Sequence, residues 1–559
     1  MNLSFFKKKE LIWIIVLAVI FVLLHLSVLH LPYHQDEYKW PQYAEGKVFA
    51  PGSIPHPPLT EFIYRIIGSH IGLDNFRFIP LTFGLVNLFL LFYLANLIFG
   101  RKTAFWSSAL FALTFFSILA STMVDVDGTV MPTFFLIMCI GYFKLKRTNF
   151  QFSIFNFQNL VWLAVVIIGA AGGFLVKVSG ILPICALFLD FLIEKGVFSD
   201  KKKILKYAGF GLLGAVGLVV LLLLAKLVFP FFPLEKSIGY WKHFANSSSF
   251  LGRGWFQTFI QFAKAILYAS PLLLLPVFFV DREIWQKARP FFLFIFTGLV
   301  FYLFVFDFSL GALDRYMQFL VVPLCIISGA VFAKFVNYVK NKEIIIPIII
   351  SILIFSLQFF NHFVPSLHPK AEWLSRIFSL KWDFLYVFSG GSGPLPFYVS
   401  FLFMALVWIC TLVLAISCIF KKNIKKQAIV SILILGILYN GVFLEEYLFG
   451  KINGNTANLV RNSTEFIKND AEISKVIVYN DNGGWEVRKT GKYERRMYAT
   501  PQFEEEYKKV LGNFNGHILF IDIPKIQEGS FYEKYMDSCE TVYEEKDKTI
   551  TAKVLDCRK

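Results

Sequence analysis

The sequence predicts an all-α polytopic membrane protein that carries a small α/β domain at its carboxyl end. Hydrophobic residues make up 56% of the chain and charged residues only 17%, whereas a soluble protein has about a quarter of its residues charged. Runs of about twenty apolar residues, long enough to cross a bilayer as helices, recur up to residue 449. After Gly450 charges of both signs appear and the long apolar runs stop. A water-soluble fold is therefore excluded for most of the chain.

Each apolar run is interpreted as one membrane span, which gives about thirteen transmembrane helices. The runs lie near residues 11–31, 77–99, 103–122, 129–145, 159–176, 179–194, 205–228, 256–280, 291–309, 316–338, 343–362, 397–420 and 427–449. The first run is too long for the apolar part of a cleaved signal peptide, and bulky residues follow it where a cleavage site needs small ones. We therefore predict that it is an uncleaved signal anchor.

The positive charges fall in alternate loops, as the positive-inside rule expects of cytoplasmic segments. The net charge of +16 thus reports membrane orientation and does not point to a nucleic-acid partner. We predict an amino terminus in the cytoplasm and, with an odd number of spans, a carboxyl-terminal domain on the extracytoplasmic side of a plasma or inner membrane. The clusters are Lys7–Lys9, Arg101/Lys102, Lys144/Lys146/Arg147, Lys195/Lys201–Lys203, Arg282/Lys287/Arg289, Lys334/Lys340/Lys342 and Lys421/Lys422/Lys425/Lys426.

The change in composition divides the chain into a membrane domain over residues 1–449 and a soluble domain over residues 450–559. The first long outside segment, 32–76, contains two stretches near 36–45 and 57–71. In the second stretch the apolar residues recur at helical spacing, which is typical of a helix that lies flat at the membrane interface. We predict interfacial helices there.

The soluble domain has the pattern of an α/β fold. The segments 474–481 and 516–524 have the composition of buried strands, and 504–511 that of a helix. Cys539 and Cys557 are the only cysteines of this domain, which we expect to face an oxidising compartment. A disulfide between them is one prediction, and two free thiols the alternative.

Four acidic residues lie just outside the predicted membrane core. Asp36 and Glu37 follow the first span in "PYHQDEYKW", and Asp125 and Asp127 occupy the short loop "STMVDVDGTV". Acidic side chains at membrane level are costly unless they serve a function or face water. They could therefore line a cavity together, or each could be a solvated carboxylate beside the lipid headgroups.

Two cations and a histidine accompany them on the same side. Lys177 lies between two spans in a glycine-rich segment, Arg315 begins the tenth span, and His56 precedes a Pro pair in "HPPLTEF". Such cations could simply reach lipid phosphates, or they could bind a phosphate-bearing lipid substrate specifically. His56 with Asp125 and Asp127 would also make a ligand set for a divalent metal, so metal dependence stays open.

The order of these motifs resembles the GT-C superfamily of membrane glycosyltransferases. An acidic pair after the first helix is followed by "HPPL" and then by Asp in the second outside loop. "GGFLVKVSGILP" (172–183) and "DRYMQFLVVP" (314–323) are similar to segments of the branch that holds the protein O-mannosyltransferases and the aminoarabinose transferase of lipid A. The resemblance implies a GT-C fold and a polyprenyl-phosphate-linked sugar donor used at the outer face.

The resemblance also implies roles for the residues that match the motifs. Asp36 would be the catalytic base and Glu37 its neighbour, while Lys177 and Arg315 would hold the donor phosphate. A second group that positions the acceptor, or binds a metal, would consist of Asp125, Asp127 and His56.

These roles are chemically consistent with one reaction. A carboxylate must take the proton from an acceptor hydroxyl, and fixed cations stabilise the charge that develops on a phosphate leaving group. An inverting transfer of this kind needs no general acid. The acceptor stays open between lipid, polysaccharide and protein. A lipid or sugar transporter or flippase is the main alternative function, and a receptor-like protein that uses the soluble domain as a binding module is a third.

Overall fold

The computed structural model describes residues 8–45, 56–148, 157–247, 255–305, 313–336, 341–360, 363–366, 370–389, 395–421 and 424–559. The chain divides into two compact units. Unit 1 comprises Met1–Leu29 and Lys39–Tyr338, and unit 2 comprises His30–Tyr38 and Val339–Lys559. The predicted domain boundary at residue 449 stays a prediction.

Unit 1 is helical over its described residues. Its amino-terminal α-helices are α1 Lys8–Leu29, α2 Lys39–Glu45, α3 Pro58–Glu61, α4 Gly68–Ile71, α5 Phe78–Phe99, α6 Arg101–Leu113, α7 Phe115–Thr122 and α8 Val130–Arg147. They are followed by α9 Phe157–Val176, α10 Ile181–Glu194, α11 Lys201–Val228, α12 Leu234–Ser247, α13 Trp255–Leu274, α14 Arg282–Val300, α15 Leu313–Tyr316 and α16 Val321–Phe335. A π-helical segment, Phe62–Ile67, joins α3 to α4.

Nine helices among the described residues are long and apolar enough to cross a membrane. They are Ile12–Leu29, Leu73–Phe99, Phe157–Val176, Lys201–Val228, Phe262–Phe279, Arg282–Val305, Met317–Phe335, Phe401–Phe420 and Lys425–Leu448. A tenth is added if α6 and α7, which are bent by 64° at their break, form one span. The chain is therefore an integral multi-pass membrane protein.

The predicted number of thirteen spans is not confirmed. The predicted segments 129–145, 179–194 and 343–362 do contain helices, but these helices are short or carry charges. Helix α8 has three basic residues in its last turn. Helix α10 has 14 residues, and the third segment contains a helix of 16 residues, Asn341–Ser356.

The predicted loop helices are present in the described part of 32–76. Helix α2 lies within the predicted stretch 36–45, and the run from Pro58 to Ile71 is helical, as predicted for 57–71. Their placement at a membrane interface stays a prediction.

A buried amide side chain inside the helical bundle of unit 1 is hydrogen-bonded to the start of the next helix hairpin. Asn87 of α5 donates to the carbonyl of Thr129 at 2.8 Å and accepts from the Thr133 hydroxyl at 2.6 Å. All three residues are buried. Because an unpaired amide in an apolar interior is costly, these bonds fix the start of α8, and with it the loop between α7 and α8.

Unit 2 contains the remaining helices and both described sheets. Its helices are α17 Asn341–Ser356, α18 Lys370–Phe378, α19 Phe401–Phe420, α20 Lys425–Leu448, α21 Thr456–Asn469, α22 Gly484–Lys489, α23 Glu504–Gly512 and α24 Phe531–Asp537. Strands β1 Leu385–Phe388 and β2 Phe397–Ser400 form an antiparallel pair. The second sheet comprises β3 Val476–Tyr479, β4 Tyr493–Met497, β5 His517–Ile521, β6 Glu540–Asp547 and β7 Ile550–Asp556.

The five-stranded sheet has the order β4-β3-β5-β7-β6. Strand β3 is parallel to β4 and to β5, while β7 pairs antiparallel with β5 and β6. The predicted strands at 474–481 and 516–524 are β3 and β5, and the predicted helix at 504–511 is α23. The small α/β domain is thus confirmed.

The predicted disulfide is also confirmed: Cys539 and Cys557 are bonded, with their Cα atoms 4.6 Å apart. Cys557 is buried in the core of the sheet, which is formed around Ile477, Leu511 and Ile518. The bond ties the start of β6 to the end of β7, next to a packed core.

Candidate functional site

Two buried ion pairs lie together in unit 1. Arg315 donates from Nη1 to Oδ2 of Asp125 at 2.5 Å, and its Nε lies 3.5 Å from Oδ2 of Asp127. Lys177 Nζ lies 2.7 Å from both carboxylate oxygens of Asp127. The two aspartates are 4% and 2% exposed and Arg315 is 8% exposed. Arg315 therefore bridges the two carboxylates, and Lys177 forms an ion pair with Asp127.

The loop that presents the aspartates runs from Met123 to Thr129, between α7 and α8. The amide of Val126 donates to Oδ1 of Asp125 at 2.5 Å, so the carboxylate is held by its own backbone. Gly128 passes so close to α7 that an added Cβ would lie 2.1 Å from the carbonyl oxygen of Ala120. Only glycine fits there, so the tight loop depends on this residue.

Lys177 is held in place by the break between α9 and α10. Its backbone is extended, with φ −155° and ψ 142°, and the 3₁₀ turn Val178–Gly180 follows it. A Cβ on Gly180 would lie 2.4 Å from the carbonyl oxygen of Gly173. The hydroxyl of Thr60, from α3, donates to the last carbonyl of α9, that of Val176, at 2.5 Å. The backbone around Lys177 is therefore held in place, which fixes the point from which the lysine side chain extends.

Aromatic rings surround the charges on two sides. Tyr316 is contacted by Lys177 Nζ at 4.7 Å and by the Arg315 guanidinium at 4.9 Å from its centroid. On the other side the Tyr64 hydroxyl donates to the carbonyl of Asp125 at 2.7 Å. Trp40 stacks on Tyr64 with centroids 4.5 Å apart. Rings of this kind keep water away from the ion pairs and strengthen their electrostatic interactions.

The ion pairs shift the ionisation of their members in opposite directions. Burial alone would raise the pKa of Asp125, but Arg315, Lys39 and Lys177 outweigh it and hold the pKa below its ordinary value. Burial would lower the pKa of Lys177, but the Asp127 carboxylate outweighs it and raises the pKa. The Asp125 carboxylate and the Lys177 ammonium are therefore charged at neutral pH.

Lys39 is a third cation near this group. Its charge acts on both Asp125 and His56. It was not among the predicted site residues, although it stands two residues after Glu37 in the segment predicted to lie outside the membrane. Three cations whose charges act at one place make the group suited to an anionic ligand.

His56 is half-buried and stacks over Trp40, with ring centroids 6.0 Å apart. Burial lowers the pKa of its imidazole well below the ordinary value, and Lys177 and Lys39 lower it further. The ring is therefore neutral at pH 7. Among the described residues no group of three or more His, Cys, Asp or Glu side chains is arranged to hold a metal ion, and this includes His56 with Asp125 and Asp127.

Asp36 and Glu37 belong to unit 2, in the 3₁₀ helix Gln35–Tyr38. Glu37 is 3% exposed, and its Oε2 accepts from the amide of His34 at 3.0 Å. It thus caps its own turn. Asp36 is half-buried. The structure therefore brings five of the seven predicted site residues together in unit 1, and places the acidic pair in the other unit.

Comparisons with known proteins agree with the fold. Residues 55–225, less than a third of the chain, match the family model described as Dolichyl-phosphate-mannose-protein mannosyltransferase. The matched segment contains His56, Asp125, Asp127 and Lys177. No curated protein is similar enough in sequence to give a match.

Solved structures of ArnT from Cupriavidus metallidurans are similar in fold over the whole length. The structure bound to undecaprenyl phosphate is 13% identical and has a TM-score of 0.53, with 97% of this chain and 98% of that chain covered. The apo structure is 13% identical and has a TM-score of 0.51, with 98% of each chain covered. Over residues 55–225 the chain is therefore similar to this mannosyltransferase family, and over nearly its whole length its fold is similar to that of ArnT.

Proposed function

We propose that this protein is a membrane glycosyltransferase of the GT-C superfamily. It moves a sugar from a polyprenyl-phosphate-linked donor to an acceptor hydroxyl at the outer face of the membrane, with inversion at the anomeric carbon. The observation that supports this most is the two buried ion pairs, Arg315 with Asp125 and Lys177 with Asp127, with the charge of Lys39 also acting on Asp125. A lipid phosphate is the anion that a membrane-embedded cationic group of this kind would meet. The bound undecaprenyl phosphate of the ArnT structure points to the same class of donor.

Lys177 and Arg315 are proposed to hold the donor phosphate. A lysine ammonium has three donors, and Asp127 takes two of them, so the third N–H remains for an oxygen of the ligand. The Arg315 guanidinium is held at Nη1 by Asp125 and at Nη2 by the Tyr316 hydroxyl, so its orientation is set before a ligand binds. Both cations are charged and desolvated before the substrate binds, so they can stabilise the negative charge on the leaving phosphate without rearrangement.

Asp36 is proposed to be the base that takes the proton of the acceptor hydroxyl. Asp125 and Asp127 are engaged by cations, and a carboxylate whose pKa is held down is a weak base. Glu37 is buried and occupied with the amide of His34. Asp36 is the half-exposed member of the acidic set, whereas Glu37, Asp125 and Asp127 are buried, so its carboxylate is the one that an acceptor can reach.

Direct displacement by the acceptor oxygen gives inversion. The bond from the anomeric carbon to the phosphate oxygen breaks, the bond to the acceptor oxygen forms, and Asp36 receives the proton. The departing phosphate is already an anion, so no group needs to protonate it. His56, neutral at pH 7, is proposed to position the acceptor together with Asp125 and Asp127. The acceptor is a lipid, a polysaccharide or a protein.

The test is a transfer assay with purified full-length protein in lipid nanodiscs and a panel of polyprenyl-phosphate sugars. Release of the free polyprenyl phosphate reports turnover, and the anomeric configuration of the product, read by NMR, reports inversion. Asp36→Asn keeps the shape of the side chain and removes the proton acceptor. We expect its kcat to fall by at least about a hundredfold, with donor binding preserved.

Glu37→Gln is the matched control, because it changes the neighbouring carboxylate, which caps its own turn. We expect a smaller effect on kcat than for Asp36→Asn. The opposite ranking would move the base to Glu37, and wild-type turnover in both variants would remove the acidic pair from the mechanism. Retention of configuration would exclude a single displacement.

A further inference from the structure

At the carboxyl end of strand β3 the connections of the five-stranded sheet change direction. The chain passes from β3 to β4 on one side and then returns to β5 on the other side of β3, and all three strands are parallel. In open α/β sheets such a reversal leaves a crevice at the carboxyl ends of the strands, where ligands usually bind. The loop at this point runs from Asn480 to Gly483.

The turn Gln35–Tyr38, from the amino-terminal part of the chain, lies against the loop that follows β3. The hydroxyl of Tyr38 donates to Oδ2 of Asp481 at 2.6 Å. The carbonyl of Asn480 accepts from the side-chain amide of Gln35 at 3.4 Å and lies 3.2 Å from Nε2 of His34. The acidic turn Gln35–Tyr38 is thus bonded to the soluble sheet across more than 440 residues of sequence.

Packing reinforces these hydrogen bonds. The ring of Trp485, which follows the loop, stacks on Tyr38 with centroids 6.3 Å apart and lies 6.0 Å from the ring of Tyr33. Trp485 is 3% exposed and the two tyrosines are also buried. The guanidinium of Arg488 lies 5.5 Å from the centroid of Tyr38. The turn is therefore enclosed by apolar and cationic groups of the sheet domain.

Both sides of this contact use uncommon backbone conformations. Gln35, Asn480 and Asp481 are not glycine, yet their φ angles are +46°, +49° and +60°. Residues in the left-handed region persist only where the surroundings hold them, and they concentrate at functional sites. The hydrogen bonds between the turn and the loop supply that restraint.

Asp481 is the centre of the contact. It is fully buried, and its Oδ1 has no hydrogen-bond partner among the described residues. Arg496 Nη1 lies 4.0 Å from Oδ2. Burial, together with the charges of Asp481 and Asp36, raises the pKa of Tyr498, which places the Asp36 carboxylate in the electrostatic surroundings of the same loop.

We infer that Asp481 and Asn480 are positioning residues for sugar transfer. Asp481 acts through Tyr38 and Asn480 through Gln35, and together they hold the turn that carries Asp36. This inference rests on the proposed role of Asp36 as the base. It gives the soluble domain a part in catalysis, because a base displaced by about 1 Å loses much of its effect. The occupant of the crevice is thus a segment of this chain.

The first readout is hydrogen–deuterium exchange in the peptide that covers residues 33–38, measured on the full-length protein in nanodiscs. Tyr38→Phe and Asp481→Ala should each increase exchange there, and the double variant should not increase it further, since both remove the same bond. Asp481→Asn keeps an acceptor oxygen and should be closer to wild type. Tyr543→Phe is the matched control, because its hydroxyl donates to Glu545 within β6, the strand at one edge of the same sheet, and does not contact the turn.

The second readout is the transfer assay. Tyr38→Phe and Asp481→Ala should each lower kcat by about tenfold, the effect of one charge-assisted hydrogen bond, and leave the donor KM within about twofold of wild type. Asp481→Asn should recover most of kcat, and Tyr543→Phe should have no effect.

Unchanged exchange in Tyr38→Phe and Asp481→Ala would show that the contact does not hold the turn. Increased exchange with an unchanged kcat would show that the turn is held but not for catalysis. Either result would overturn the inference. If the wild-type protein transfers no sugar from any polyprenyl phosphate, the proposed function fails, and the positioning role falls with it, whereas exchange alone still decides whether the loop holds the turn.

Discussion

Replacing the Lys177–Asp127 ion pair separates a structural role from a role in donor binding. Lys177→Met leaves Asp127, 2% exposed, without two contacts of 2.7 Å, and only the Arg315 Nε at 3.5 Å remains near it. Removing one partner of a buried pair costs about 3–5 kcal/mol, because the other charge is left uncompensated. We therefore expect a clear fall in Tm for this variant.

The double variant Lys177→Met/Asp127→Asn removes the uncompensated charge. Replacing a whole buried pair by neutral groups of similar size is often close to neutral for stability, so most of the lost Tm should return. Donor use should not return, because the cation is still missing. A lost charge-assisted contact costs about 1.5–3 kcal/mol, which corresponds to an increase of about ten- to a hundredfold in the donor KM or an equal loss of kcat/KM.

Lys146→Met is the matched control, since Lys146 pairs with the buried Asp190 in the same unit at 3.1 Å, in a network with no proposed contact to the donor. Its Tm should fall while the donor KM stays at the wild-type value. The measurements are Tm by thermal unfolding in nanodiscs and steady-state kinetics with varied donor. A double variant with restored Tm and wild-type kinetics would refute the phosphate-binding role of Lys177.

Three further predictions concern the soluble domain and its location. Thiol labelling of the denatured, unreduced protein should miss Cys539 and Cys557, and reduction should lower the stability by about 3 kcal/mol, as expected for a loop of this size; full labelling without reductant would exclude the bond. Burial raises the pKa of Asp522 to about 6, so folding favours its protonated form, and the stability linked to it is lost as the pH rises through 6. Asp522→Asn should therefore stabilise the fold more at pH 8 than at pH 5. The difference is at most about 1.4 kcal/mol, because pH 5 lies one unit below the folded pKa, and it is smaller because the side chain is half-buried; an equal gain at both pH values would contradict the reasoning. A fluorescent protein that matures only in the cytoplasm, fused after Lys559, should stay dark, and bright cells would contradict the proposed orientation.

The helices could be predicted from the sequence because lipid imposes a simple rule on composition. Helix α11, Lys201–Val228, is a continuous apolar run and its side chains are mostly exposed, as lipid contact requires. Helices α8 and α10 follow the rule less well, because they carry Lys146 and Asp190, which neutralise each other in the folded protein. A count of spans from composition alone treats such partners as separate charges. Composition therefore could not establish the number of transmembrane helices.

The candidate site was predictable in its residue types but not in its pairing. Acidic and basic residues at membrane level are costly, so their presence in the loops predicted to lie outside is visible in the sequence. The partners are not visible, since 190 residues separate Asp125 from Arg315 and 50 separate Asp127 from Lys177. For the same reason Lys39 could not be predicted to act on Asp125.

The acidic pair shows how the fold gives different roles to two residues that the sequence presents as equivalent. Asp36 and Glu37 are adjacent, yet successive residues in a turn of 3₁₀ helix point in different directions. Glu37 turns inward, is almost fully buried and caps the turn through the amide of His34, whereas Asp36 stays half-exposed. A base must reach its substrate, and a capping carboxylate cannot leave its amide without loosening the turn. The difference in exposure therefore favours Asp36 as the base and gives Glu37 the task of shaping the turn on which that base stands.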